Sequence, residues 1–298
     1  MSRNRRTGRT RRWIIAGVSG GALVAALAGA AVTAPGGPAG ATTPRPAASA
    51  PHFNFVAMAP TPSGNGYWLV ASGGKIESFG GAVDYGDLST KTLNAPIIGM
   101  APTADGKGYW LLGRDGGVFA FGDAQFYGST GGIHLNQPVV GMTATADGKG
   151  YWFVAADGGV FAYGDAAFHG SAGSLTLRKP VVGMAATPDG KGYYLVASDG
   201  GIFCYGDATF QGSQGGKQLN KPVVGMTVDP ATGGYWEVAS DGGIFAFGAP
   251  FYGSTGATKL NQPIVGMTNT PNGLGYRFVA RDGGIFNFGV AQYYGSGA

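Results

Sequence analysis

The sequence predicts an all-β fold, a six-bladed β-propeller of four-stranded antiparallel blades, with a β-solenoid as the alternative. Three observations lead there. A unit of about 42 residues recurs six times between positions 54 and 298. Within each unit, short apolar runs are separated by Asp-Gly or Gly-Asp steps, the strongest short-range hairpin signal. The runs are also apolar on both faces, as in a sheet covered on both sides and unlike a sheet with one wet face.

The third copy displays the unit most clearly. It runs through Pro138 to Met142, Gly150 to Asp157, Gly158 to Asp165 and Phe168 to Ser171. The same series starts again at Pro96, Pro180, Pro222 and Pro263, and a diverged copy begins near Asn54. The units are therefore 54–95, 96–137, 138–179, 180–221, 222–262 and 263–298. The fifth is one residue short, with Gly248-Ala249-Pro250 where the others read Gly-Asp-Ala-x.

In the third copy the strand-like runs are 138–145, 150–156, 159–164 and 167–171. In the second run Tyr151, Phe153 and Ala155 point one way, and Trp152 and Val154 the other. In the third run Val160 and Ala162 oppose Phe161 and Tyr163. The first run is rich in small residues, as in Gly183 to Thr187, which suits the crowded strand nearest a ring axis. Because the repeats begin on a first run and end on a fourth, no strand is expected to be exchanged, and closure would rest on packing between units 1 and 6. A solenoid would repeat over shorter periods and lack such regular hairpin turns.

Ahead of the repeats lies a predicted export signal, residues 1–41, then a Pro/Ala-rich linker, 42–53. Residues 1–12 are strongly basic, and 13–33 are apolar or small and uncharged. Ala39-Gly40-Ala41 supplies a small-x-small cleavage site. Thr10-Arg11-Arg12-Trp13-Ile14-Ile15 resembles a twin-arginine export motif. The alternative is an uncleaved anchor, which would be the chain's only contact with a membrane. The expected location is secreted or cell-surface.

Composition narrows the function classes. Glycine is high at 58 residues, yet aromatics make up 12%, which argues for turns in an all-β body and against disorder. Six of the 20 basic residues lie in the first 12 positions; cleavage after Ala41 leaves 14 basic residues against 16 acidic ones. That balance offers no basic stripe for nucleic acid. Cys204 is the single cysteine, so an internal disulfide is excluded.

The string Gly-Tyr-Trp-x-Val-Ala-x-Asp-Gly-Gly-x-Phe-x-Phe-Gly-Asp-Ala-x-Phe-Tyr-Gly-Ser resembles a repeat of secreted actinobacterial proteins over essentially all of 54–298. The resemblance implies a β-propeller and export. In some relatives such repeats accompany cell-wall amidase or peptidase domains, which implies an accessory role beside a separate hydrolase as one alternative. It carries no functional residue that transfers to this chain.

Candidate chemistry is sparse. The turn carboxylates Asp115, Asp157, Asp199, Asp241 and Asp282 recur in almost every unit, so they read as turn formers accepting backbone hydrogen bonds. His52, His134 and His169 have no zinc-type spacing to one another or to Cys204. Cys204 fills a slot held elsewhere by alanine, and Trp68, Trp110, Trp152 and Trp236 share one repeat position that marks packing between units. No metal or cofactor is expected.

Departures from the repeat are the candidates that remain. Glu237 stands where other units have Leu or Phe, which makes it the one weak candidate for a catalytic acid. Arg277 replaces the repeat Trp in unit 6, and Gly73 replaces the turn Asp in unit 1. Ligand specificity is assigned to the variable connector positions His134, Thr176, Gln218 and Lys259. The resulting expectation is an exported, monomeric, non-enzymatic binding or scaffold propeller that engages a cell-envelope glycan or protein. The competing expectation is a propeller hydrolase or lyase with its site in the central channel.

Overall fold

The computed structural model describes residues 53–298. The predicted signal 1–41 and the linker up to residue 52 lie outside the described residues. The described chain is all-β and holds six three-stranded antiparallel sheets, each falling within one repeat unit and ordered as in the sequence. The strands are β1 Phe55–Pro60, β2 Gly66–Ala71 and β3 Ile76–Gly80 in unit 1, then β4 Ile97–Pro102, β5 Gly108–Gly113 and β6 Val118–Gly122 in unit 2. Units 3 and 4 contain β7 Val139–Ala144, β8 Gly150–Ala155 and β9 Val160–Gly164, then β10 Val181–Ala186, β11 Gly192–Ala197 and β12 Ile202–Gly206. Units 5 and 6 contain β13 Val223–Val228, β14 Tyr235–Ala239 and β15 Ile244–Phe247, then β16 Ile264–Asn269, β17 Gly275–Ala280 and β18 Ile285–Gly289.

Three strands per unit corrects the expected four. The fourth run, 167–171 in unit 3, joins no ladder. Side chains occupy its backbone groups instead. Trp152 Nε1 donates to Ala167 O at 2.7 Å, and Tyr193 Oη of the next unit donates to Gly170 O at 2.6 Å while accepting from His169 N at 3.1 Å. Gly170 at φ 127° breaks the extended course at the same point. The fourth run is thus a strap, tied by its own unit's Trp and the following unit's Tyr.

The turns follow from the Asp-Gly signals. Between β7 and β8, Gly148 N donates to Thr145 O at 3.0 Å, while Asp147 Oδ1 accepts from Thr145 Oγ1 and from Lys149 N. Between β8 and β9, Gly158 adopts φ 81°, and a Cβ there would lie 2.5 Å from Ala172 Cβ. Both conformation and space therefore demand glycine.

Middle strands are buried along their whole length and carry the core. Their alternation sends the repeat Trp toward the next unit, where it meets that unit's Tyr. Ring centroids are 5.5 Å apart for Trp110 and Tyr151, 5.9 Å for Trp152 and Tyr193, and 5.4 Å for Trp236 and Tyr276. Backbone bonds join neighbouring units as well, as from Val181 N to Ala156 O at 2.9 Å. Contacts of the same kinds occur between the last unit and the first. Phe55 N donates to Arg281 O at 3.0 Å, Tyr67 Oη donates to Gly295 O at 2.6 Å, and Arg277 lies over the Tyr67 ring at 5.1 Å.

Candidate functional site

Three regions bear on function: the cavity shared by the first strands, the buried carboxyl of Glu237, and the connectors. The cavity, about 440 Å³, is lined by all six first strands, and each unit contributes one methionine from the same repeat position. Thr143, Thr227, Thr268 and Asn269 are its polar side chains along the strands, and Thr227 Oγ1 donates to Asn269 Oδ1 at 2.8 Å. Among the described residues, no charged side chain lines it. These walls offer soft apolar contact and hydroxyls, and no group for acid–base work.

Glu237 is not in that cavity. It sits in the middle of β14, opposite Met226 and Phe245, with no solvent exposure. Its carboxyl reaches the turn of the preceding unit, where a Cβ on Gly200 would lie 2.7 Å from Oε2 and 2.7 Å from Gln214 Cβ. Neither carboxyl oxygen has a hydrogen-bond partner among the described residues. Burial, reinforced by the charge of Asp199 and partly offset by Lys217, pushes its pKa up to about 8. At neutral pH the group is therefore mostly protonated. It is a proton donor by chemistry, without access to a substrate in this arrangement.

Sequence comparison between units singles out Glu237 but misses its companion. Gln214 stands where other units have Leu88, Thr130, Ala172, Thr255 or Gly297. The first four are buried, whereas Gln214 and Gly297 are half-buried. The signal was present in the repeat alignment, one position after the strap serine.

The repeated carboxylates behave as turn formers. The Oδ1 atoms of Asp115, Asp157, Asp199, Asp241 and Asp282 each accept from the backbone N two residues on, at 3.0 to 3.2 Å. Asp105, Asp147 and Asp189 pair with Lys107, Lys149 and Lys191 in the first turns. Hydrogen bonding to Lys149 holds the Asp147 carboxyl down at about 2. His134 is exposed, and His169 is half-buried with its ring 5.6 Å from Tyr193. Cys204 is half-buried, and burial pushes its thiol pKa up, away from nucleophilic reactivity. His52 lies outside the described residues. Among the described residues, no group of three or more His, Cys, Asp or Glu is placed to hold a metal ion.

All four connector candidates, His134, Thr176, Gln218 and Lys259, are exposed. One lies in each of four successive units, so they form an array and do not converge on one point. Thr176 lines a cavity of about 500 Å³ together with Leu175, Leu177, Arg178, Asp199 and Phe203. Gln218 lines its repeat equivalent, about 280 Å³, together with Asn220, Lys221, Asp241 and Phe251. His134 and Lys259 line neither.

Comparison of the chain with protein-family models and with curated proteins finds no match.

Proposed function

We propose that residues 54–298 form a closed six-bladed, three-stranded propeller that serves as an exported, non-enzymatic binding or scaffold module for a cell-envelope glycan or protein. Closure is supported by the bonds from Tyr67 to Gly295 and from Phe55 to Arg281, which repeat between last and first units the joints between consecutive ones. Export is supported by the basic start and apolar stretch of the first 33 residues, in keeping with the resemblance to secreted actinobacterial repeats. The single observation that carries the binding reading is the pair of repeat-equivalent grooves at the connectors. The repeated Asp, Trp and Tyr residues are engaged in turns and seams, whereas the connector side chains differ from unit to unit and face solvent. Retention of the full chain on peptidoglycan and on envelope extracts tests the reading. Retention above that on a chemically unrelated matrix is the expected result, and none from well-folded protein would overturn it.

A hydrolase reading would rest on Glu237. Its raised pKa suits a general acid, but its lack of exposure favours a structural role. Unchanged turnover by a Glu237→Gln variant in a glycan and peptide substrate screen would remove that reading's best residue.

A further inference from the structure

The fourth connector spaces its two cations, Lys217 and Lys221, four residues apart; the third alone sets two side by side. At the two positions before the next unit's proline it carries Arg178-Lys179, where the others carry Asn94-Ala95, Asn136-Gln137, Asn220-Lys221 and Asn261-Gln262. In a repeat body with more acids than bases, this is a local concentration of positive charge. Both side chains are exposed, and neither has an ion pair among the described residues.

The surrounding geometry is that of a ridge between two hollows. The cavity of about 500 Å³ lies on one side and one of about 320 Å³ on the other; Leu175, Leu177, Arg178 and Lys179 line both. Arg178 reaches toward the fourth unit's connector, with Nη1 3.6 Å from where a Cβ on Gly216 would sit. Gly201, Gly215 and Gly216 also line the larger hollow, with Gly215 packed closely against the Gly201 backbone. Leu177 and Phe203 add apolar surface, and Thr176 adds a hydroxyl. Asp199 also lines this hollow and Asp157 lines the smaller one, each with its Oδ1 held by a turn backbone N at 3.1 and 3.0 Å, so one acid stands on each side of the two cations.

We infer that this ridge is a binding site for an anionic sugar unit of an envelope glycan, with Arg178 and Lys179 holding the carboxylate or phosphate and the apolar wall holding the ring. A sugar ring presents a C–H face and a rim of hydroxyls, which matches Leu177 and Phe203 beside Thr176. A guanidinium recognises planar or tetrahedral oxyanions with directed hydrogen bonds, and the neighbouring ammonium adds a point charge. The inference rests on the glycan reading above and names its charge class and its place.

The test is calorimetric titration of the full chain with three oligosaccharides of equal length: a neutral N-acetylglucosamine oligomer, a uronic-acid oligomer and a sugar-phosphate oligomer. At least one anionic oligomer is expected to bind about tenfold more tightly than the neutral one, with the advantage shrinking as salt is raised. The stronger anionic arm identifies the carboxylate or the phosphate as the recognised group. An Arg178→Gln/Lys179→Gln variant should lose the advantage, an Arg178→Lys/Lys179→Arg swap should keep much of it, and Lys221→Gln in the fourth connector should not change it. Anionic oligomers binding no better than the neutral one, or equally well to the Gln variant, overturn the site. If envelope material is still retained in that case, the general binding reading stands; if neither material nor oligomer is bound, both fall.

Discussion

Two seams between units each bury an ionisable side chain that the repeat does not call for, and they accommodate it differently. Between units 6 and 1, Arg277 takes the place of the repeat Trp. Its Nη2 donates to Gln292 O at 3.4 Å, the same strap position that Trp152 reaches in unit 3, and its guanidinium lies over Tyr67 and Tyr294 at 5.1 and 6.0 Å. An arginine keeps its proton, so the charge is held against aromatic faces. Between units 4 and 5, Glu237 takes the place of a Leu or Phe and finds no partner. A carboxyl has a second option, which is to bind a proton and become neutral. Two adjacent positions of the shared middle strand therefore accept ionisable residues in two ways, Arg277 by spreading its charge and Glu237 by discharging it.

The ordinary seams set the scale for this comparison. Trp152→Ala removes a fully packed indole and its bond to Ala167 O, and should cost about 3–5 kcal/mol in urea unfolding. A much smaller loss would mean that these seams do not carry the fold's stability.

Glu237 should give the next largest effect, visible through pH. Its pKa rises from 4.5 in the unfolded chain to about 8 in the folded one, so the folded state holds the proton more tightly. Its contribution is complete below the unfolded value and is lost as pH climbs through the folded value, by about 2–4 kcal/mol. Urea midpoints across that window should fall for the parent and stay nearly flat for Glu237→Leu. Parallel curves for the two proteins would place the proton elsewhere.

Smaller effects sharpen the equivalence of the seams. Tyr67→Phe and Tyr193→Phe each delete a hydroxyl bonded to a strap carbonyl at 2.6 Å, and each should cost about 1–3 kcal/mol. Equal losses would mean that units 6 and 1 are joined as firmly as units 3 and 4; a negligible loss at Tyr67 alone would break the equivalence. Smallest of all, Asp147→Asn loosens an exposed turn pair with Lys149 and should leave the thermal midpoint near neutral pH unchanged.

Much of this architecture was legible from the chain. The Asp-Gly steps located the turns, as Gly148 and Gly158 illustrate, and the shared Trp position located the seams. Glu237 stood out because a repeat defines what each position ordinarily holds. The strap was misread as a strand for a physical reason. Phe168 to Ser171 has the composition of a strand, but extended backbone is indifferent to whether its partner is another strand or the hydroxyl of Tyr193. Two adjacent basic residues in a loop, as at Arg178 and Lys179, are ordinary in a sequence, and only the hollows beside them set them apart.

The sequence by itself determined the unit, its turns and its buried alternation, because these depend on residues within a few positions of one another and on glycine's access to positive φ. Only the tertiary structure decided which unit a Trp, Tyr or Glu meets. The strap's partner lies one unit ahead, and the partners of Tyr294 lie more than 220 residues away in unit 1. Local propensity carries no record of such distant partners, and their burial is what turns Glu237 from an exposed acid into a neutral one.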